Sequence, residues 1–427
     1  MKASVYSSGR LILALFIAGA ILAALSCSRR ESPGIRGINS VITNGMSDCE
    51  ELSRLEKDVR FFMQKWQERG IQLSIMRNDS LLYSKGFGLA DEKEGRPMEA
   101  GTVMRIASIS KLLTAAGIMK LKEQGRLRLD DKVFGKGGIL DDELFNSNIK
   151  DKGYYDISVE QLLRHEGGLS IRRGDPMFTT RDIMFLNGLE EAPDSRTLTS
   201  IVVRRRLGYV PGTGSEYSNF GYLLLSMIIE KLGGEDYESW MRENILEPAG
   251  CMDFHLAHNF KSERYPNESS YHMQENDELV PIFNGGADSV ARCYGGNDIR
   301  ALKGAGAWVC SSAELARFVA SIDGKPGVAD ILSAESVGMM TEESESHKFG
   351  LGWNRVGTET GWFRTGSISG TSAIVACYPD GECWILITNT HSWRGPRFGN
   401  TLKAFINQCR TRYSGKLPRR NLFDLQQ

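Results

Sequence analysis

Between residues 52 and 66, apolar residues recur at helical spacing, which predicts an amphipathic helix that ends before Gly70. The next apolar runs, 71–77 and 81–86, are strand-like and are separated by three polar residues. Each run is short enough for a strand and too short for a typical helix. The folded region is therefore predicted to open with a helix followed by a β-hairpin.

Strand and helix patterns return together near the end of the chain. The predicted strands there are 350–353, 362–366, 372–378 and 383–388, and the predicted helices are 313–322 and 402–412. The intervening region is rich in loops and helical patterns. This order predicts an α+β fold, in which one antiparallel sheet is built from both ends of the chain, flanked by helices, with an inserted helical lobe.

The domain boundaries follow from the same pattern. We expect one domain over residues 48–413, preceded by a polar tether and followed by a polar tail. The predicted parts are a tether at 27–47, an α/β lobe at about 48–125 and 300–413, a helical lobe at about 126–299, and a tail at 414–427.

The N-terminus has the pattern of a targeting segment. Basic residues precede a 15-residue apolar run, 11–25, which is short for a membrane span of about 20 residues and suits a secretory signal peptide at 1–26. Residues 24–27 resemble the bacterial lipoprotein cleavage box, although its leucine usually stands one position earlier. The resemblance implies a lipid on Cys27 and a place at a membrane of the bacterial cell envelope. A plain signal peptide and an uncleaved anchor are the alternatives.

Composition narrows the function classes. The 427 residues carry a net charge of −1 with no block of like charges, which does not favour nucleic acid as a partner. No motif predicts a metal or cofactor site. If Cys27 carries lipid, seven of the eight cysteines remain, so at least one of them is free or pairs with another molecule. Cys377 and Cys383 flank a turn and could pair, or could be two separate buried thiols.

A Ser-x-x-Lys motif, Ser108 to Lys111, precedes an apolar helical pattern. Residues three apart share a helix face, so the lysine lies within reach of the serine. A serine hydroxyl needs such a base to act as a nucleophile. A second Ser-x-x-Lys, 147–150, stands in a polar stretch without a helix after it.

Two further elements follow in the chain. Tyr217 and Asn219 form a Tyr-x-Asn motif before an apolar helix, whereas a second match, at Tyr265, has no helix behind it. Further on, a strand-like segment contains the run Arg364, Thr365, Gly366 and Ser367.

Together these elements, with supporting stretches at 127–131, 162–169 and 306–316, resemble the serine β-lactamases and penicillin-binding proteins. The tyrosine version resembles class C β-lactamases, D,D-peptidases, D-aminopeptidases and related esterases, over about residues 50–412. The resemblance implies a β-lactamase/transpeptidase-like fold with an active site between the lobes.

Residue by residue, the resemblance implies that Ser108 is acylated and that Lys111 or Tyr217 takes its proton, in an order that the sequence leaves open. Asn219 would orient Lys111 and a substrate carbonyl, or simply cap its helix. The oxyanion would lie between the backbone N–H groups of Ser108 and Ser367.

Arg364 departs from the pattern, because relatives carry lysine or histidine there. Arginine cannot release its proton, so a role as proton donor is doubtful. With Thr365, Gly366 and Ser367 it is predicted to bind substrate, its guanidinium clamping a carboxylate. Alternatively, Arg364 points away into a salt bridge and the site favours neutral esters.

The sequence thus predicts an exported serine hydrolase that forms an acyl-enzyme with a small-molecule or peptide amide or ester. The alternative is a lipid-anchored binding or sensing protein with slow or no turnover. A Ser-His triad stays formally possible through His165, His347 or His391, although none lies in a motif.

Overall fold

The computed structural model describes residues 37–172, 174–274 and 279–426. The predicted signal peptide at 1–26, the lipid site Cys27 and the first part of the tether lie outside these residues. Within the described ranges, no helix is both long and apolar enough to cross a membrane.

Helices are distributed along the whole described chain. They are α1 (Ile38–Val41), α2 (Ser53–Trp66), α3 (Ser110–Glu123), α4 (Glu143–Asn148), α5 (Val159–Leu163), α6 (Thr180–Asn187), α7 (Ser195–Val202), α8 (Asn219–Gly233), α9 (Tyr237–Met241), α10 (Ser312–Ala320), α11 (Ala334–Thr341) and α12 (Phe398–Tyr413). The predicted region 126–299 contains α4 to α9, so the middle of the chain is helical as expected.

The strands concentrate at the two ends. They are β1 (Gly70–Arg77), β2 (Ser80–Asp91), β3 (Arg96–Pro97), β4 (Met104–Arg105), β5 (His255–Leu256), β6 (His272–Met273), β7 (Leu279–Pro281), β8 (Ser289–Ala291), β9 (Trp308–Cys310), β10 (Trp362–Ile368), β11 (Thr371–Cys377), β12 (Glu382–Thr388) and β13 (Thr390–His391). The main sheet has the order β10-β11-β12-β1-β2-β3, with antiparallel neighbours throughout. The predicted α+β fold, with a sheet built from both chain ends, is confirmed.

Helices cover both faces of this sheet. On one face, α2 and α12 pack their apolar sides against buried residues such as Leu73 of β1 and Leu386 of β12. On the other, α10 lies against β1 and β12, and the larger core continues from there to α3 and α8. Burying side chains on both faces fixes the strand register, which in turn fixes where the edge strand β10 lies.

The structure corrects the predicted tether from residue 37 onward. Helix α1 lies in this segment, and Ile38 and Ile42 are buried in the main core. Ser47 donates a hydrogen bond from Oγ to the backbone oxygen of Ser84 at 2.8 Å. These apolar residues are too few to form a periodic pattern, so the packing of this segment could not be predicted from periodicity.

The predicted tail at 414–427 is also corrected. Leu417, Leu422 and Phe423 are buried, and Asn421 Oδ1 accepts a hydrogen bond from the backbone N–H of Leu81 at 3.0 Å. The segment therefore continues the domain along strand β2 as short 3₁₀ turns.

The predicted strand at 350–353 is not formed. Gly352 has a φ of +85°, which interrupts an extended run.

The two cysteines that flank the predicted turn are paired. Cys377 of β11 and Cys383 of β12 form a disulfide, so they are not two separate thiols.

Candidate active site

Ser108 lies between a short strand and the helix that the sequence predicts after it. Strand β4 leads to a 3₁₀ turn, Ala107–Ile109, which continues into α3. Ala107 has a φ of +48°, an unfavourable conformation for a residue with a Cβ. The turn presents Ser108 to a pocket of about 420 Å³. Backbone strain held by surrounding packing is typical of functional sites.

Lys111 is fully buried one helical turn beyond Ser108. Its Nζ donates to Ser108 Oγ at 3.3 Å and to Asn219 Oδ1 at 2.7 Å. Burial lowers the pKa of Lys111 to about 8; Tyr217 opposes this shift and the Arg364 cation adds to it. A substantial fraction of this lysine is therefore neutral near physiological pH, as a base requires.

Tyr217 reaches the same serine from the segment directly before α8. Its Oη donates to Ser108 Oγ at 2.8 Å. Burial by itself raises the pKa of Tyr217, but the cations of Lys111 and Arg364 outweigh burial and hold the pKa below its ordinary value. As a phenolate, the same oxygen could accept the serine proton. Both predicted bases thus contact Ser108, and Tyr217 is the nearer.

Arg364 does not face the pocket, which corrects the predicted carboxylate clamp. The side chain is fully buried. It donates to the backbone oxygen of Ser108 at 2.9 Å, to that of Gly352 at 3.0 Å, and to Tyr217 Oη at 3.0 Å. Its fork is occupied by protein acceptors, so Arg364 points away from substrate as the alternative predicted, but toward backbone oxygens and Tyr217 rather than into a salt bridge. Its charge acts instead on Tyr217.

Asn219 connects Lys111 to an acid that the sequence analysis missed. Ser218, not Asn219, caps α8, because its side chain accepts from the N–H of Gly221. Asn219 is therefore available to accept from Lys111, and its Nδ2 donates to Asp175 Oδ2 at 2.7 Å. Asp175 lies in a loop, 42 positions before Tyr217 in sequence, and no spacing rule connects it to the motifs.

Strand β10 is an edge strand, so its outer N–H groups are not used by the sheet. The N–H of Thr365 donates to Asn354 Oδ1 at 2.7 Å on this outer side. Alternate residues of a strand point the same way, so the N–H of Ser367 also points outward. Thr365 and Ser367 both line the pocket with Ser108. This arrangement can place two N–H donors, from Ser108 and Ser367, around one oxyanion.

Gly366 explains why β10 can come so close to the serine. A Cβ at this position would lie 2.2 Å from the backbone oxygen of Ile106, far inside contact distance. Only glycine permits this approach, because it has no Cβ. The Thr-Gly pair therefore brings the strand edge against the turn that holds Ser108.

The Ser-His triad is not formed, since none of the six histidines, all within the described residues, hydrogen-bonds Ser108. The ring of His165 lies 4.5 Å from that of Tyr217. Its Nδ1 accepts from the N–H of Ser218 at 3.2 Å. Burial and the Arg364 and Lys111 cations hold the pKa of His165 well below its ordinary value, so the ring packs against Tyr217 as a neutral group.

The pKa values predict how rate depends on pH. Because the pKa of Lys111 is lowered to about 8, the neutral amine forms as pH rises through that value. We expect kcat/KM for a neutral ester to rise with pH, to reach half of its maximum near pH 8 and to level off above that value. Lys120→Met, on the same helix, should keep this profile. A rate constant that stays flat from about pH 6 to 9 would contradict a titrating base.

The sequence of this chain is similar to a known protein family and to several of its members. A family model described as Beta-lactamase matches residues 55–407. The chain is 27% identical over 326 residues to a protein of Escherichia coli O157:H7 described as "Putative D-alanyl-D-alanine carboxypeptidase", covering 68% of this chain and 69% of that one. It is 31% identical over 192 residues to Penicillin-binding protein 4* of Bacillus subtilis (strain 168), covering 44% of this chain but only 38% of that relative.

Solved structures share the fold at lower identity. D-amino acid amidase from Ochrobactrum anthropi SV3, complexed with D-phenylalanine, superposes with a TM-score of 0.64 at 19% identity, covering 85% of this chain and 99% of that one. The octameric penicillin-binding protein homologue from Pyrococcus abyssi gives a TM-score of 0.57 at 22% identity, covering 84% and 77% respectively. At such identities the similarity concerns the fold alone.

Proposed function

The chain belongs to the β-lactamase family of serine hydrolases, and we propose that Ser108 is the residue that its substrates acylate. One observation carries this proposal: two titratable groups with lowered pKa values, Tyr217 and Lys111, both donate hydrogen bonds to the same serine oxygen, and each can accept a proton from it once deprotonated. A surface serine has no such surroundings. This arrangement supports nucleophilic catalysis rather than a structural role.

In acylation, Ser108 Oγ attacks the carbonyl carbon of an amide or ester while its proton passes to Tyr217 or Lys111. The developing oxyanion accepts hydrogen bonds from the N–H groups of Ser108 and Ser367, each worth roughly 3 kcal/mol in the transition state. The proton then moves to the leaving amine or alcohol as its bond to carbon breaks. Water attacks the acyl-enzyme by the reverse proton path and releases the acid.

Arg364 contributes as a fixed positive charge beside Tyr217. It favours the phenolate and holds Tyr217 Oη at 3.0 Å from its own Nη2. Asn219 holds Lys111 at 2.7 Å, which keeps the ammonium or amine directed at Ser108. These two residues therefore position the proposed bases and need not contact substrate.

The direct test offers the protein a panel of penicillins, D-Ala-D-Ala peptides and p-nitrophenyl esters. Intact mass follows acylation, and absorbance follows turnover. We expect a covalent adduct and steady release of product from at least one class. An adduct that forms but does not turn over would instead favour a binding or sensing protein, and no adduct with any member would contradict acylation.

We also propose that the protein is exported and anchored by a lipid on Cys27, on the basis of the apolar run and cleavage box. Two or more acyl chains hold a protein stably on a membrane. Cys27→Ser should move the protein from the membrane fraction to the soluble fraction, whereas Cys49→Ser should not. A wild-type protein that is wholly soluble and begins at another residue would contradict the anchor.

A further inference from the structure

The described lining of the pocket beside Ser108 includes a carboxylate. Among the described residues that line it, Asp175 is the acid, and none is a lysine or arginine. The rest of the lining includes an apolar wall, made by Ile171, Phe178, Leu302, Ile368 and Pro396. Arg364, the cation that the sequence offered for a substrate carboxylate, is buried behind Tyr217. Asp175 is therefore the charged side chain that the described lining itself presents to a ligand, whereas the Lys111 and Arg364 cations are fully buried.

Asp175 has acceptor capacity to spare. Its Oδ1 accepts from the N–H of Met177 at 3.0 Å, and its Oδ2 accepts from Asn219 Nδ2 at 2.7 Å. An ionised carboxylate offers about four lone-pair positions, so roughly two remain. No lysine or arginine among the described residues forms an ion pair with Asp175. The half-buried carboxylate is thus oriented by two hydrogen bonds and open to a cation in the pocket.

Asp175 is also close to the reacting atoms. Asn219 links it to Lys111 through two hydrogen bonds of 2.7 Å, and Lys111 Nζ lies 3.3 Å from Ser108 Oγ. A substrate whose carbonyl carbon is at Ser108 would extend its acyl part along this chain of groups. An amine on that part could then meet Asp175, while an apolar side chain lies against the wall.

We infer that Asp175 recognises a substrate ammonium, so that the site prefers amides or esters of apolar amino acids with a free amino group. This inference rests on the proposed acylation of Ser108. A charge-assisted hydrogen bond would favour the ammonium over a neutral group by roughly 10- to 100-fold. A free carboxylate in the same place would be repelled by Asp175 and would find no lining cation among the described residues.

The test compares phenylalanine p-nitroanilide with its N-acetyl derivative, in both enantiomers, for wild type and Asp175→Asn. We expect wild type to prefer the free amine in kcat/KM by roughly 10-fold or more, and Asp175→Asn to lose most of that preference. The ratio is informative because disturbing Asn219 would slow both substrates alike. Asp130→Asn, at an exposed ion pair with Arg128, is the matched control and should keep the preference.

Binding is measured separately, so that slow turnover does not hide the result. Phenylalanine amide and N-acetylphenylalanine amide compete with a neutral fluorophosphonate for Ser108, and the free amine should protect better in wild type only. Equal protection and equal rate ratios in wild type and Asp175→Asn would overturn the inference and leave Asp175 as a positioning residue for Asn219. Failure of the fluorophosphonate to label Ser108 would instead contradict the proposed acylation.

Discussion

Ser108→Ala should abolish covalent labelling by a fluorophosphonate and lower kcat/KM for an activated ester by a factor on the order of 10⁶. The substitution removes the oxygen that both Tyr217 Oη and Lys111 Nζ contact and that forms the acyl bond in the proposed acylation. Without it the remaining groups can only assist attack by water. Peptide mass spectrometry of the labelled wild-type protein locates the adduct, and initial rates measure the loss.

The chain supplies a matched control in its second Ser-x-x-Lys. Ser147 is exposed near the end of α4, and its Oγ donates to the backbone oxygen of Leu144 at 3.3 Å. No base contacts it there among the described residues. Ser147→Ala should therefore leave labelling and rate unchanged. An adduct on Ser147, or labelling that survives Ser108→Ala, would show that the wrong serine has been assigned.

Tyr217→Phe should lower kcat/KM by roughly 10²- to 10⁴-fold, because it keeps the ring and removes only the oxygen that handles the proton. It also leaves Arg364 Nη2 without its acceptor at 3.0 Å. Thermal unfolding should accompany the kinetics, so that a loss of rate is compared with any loss of stability. A folded variant with slow acylation is the expected result.

Tyr265, the second Tyr-x-Asn match, provides the control for this substitution. Its Oη donates to the backbone oxygen of Leu256 at 3.0 Å, away from Ser108. Tyr265→Phe should cost a hydrogen bond, worth about 1 kcal/mol of stability, and should leave kcat/KM unchanged. Wild-type kcat/KM in Tyr217→Phe would mean that the phenol only packs, and Lys111 would then be the sole base.

Arg364 illustrates where a motif misleads. Its place in the strand predicted a side chain directed at substrate, yet the guanidinium lies inside, donating to two backbone oxygens and to Tyr217. A strand residue points to one of two faces, and which face meets the pocket depends on how the sheet edge docks against α3. Gly352, which supplies one of these acceptors, lies in a segment that the sequence predicted as a strand.

The sequence by itself determined the α+β fold, through its periodicity, and the local motifs that hold Ser108, Lys111, Tyr217 and Asn219, because each motif lies at or beside a helix start. That these motifs meet in one site was predicted only through the family resemblance. Tertiary structure decided the rest. The direction of Arg364, the addition of Asp175 and Asn354 to the site, and the packing of residues 37–47 and 414–426 all depend on contacts between segments far apart in the chain. Such contacts leave no periodic signal in sequence, because each depends on where a loop or chain end comes to lie once the sheet is assembled.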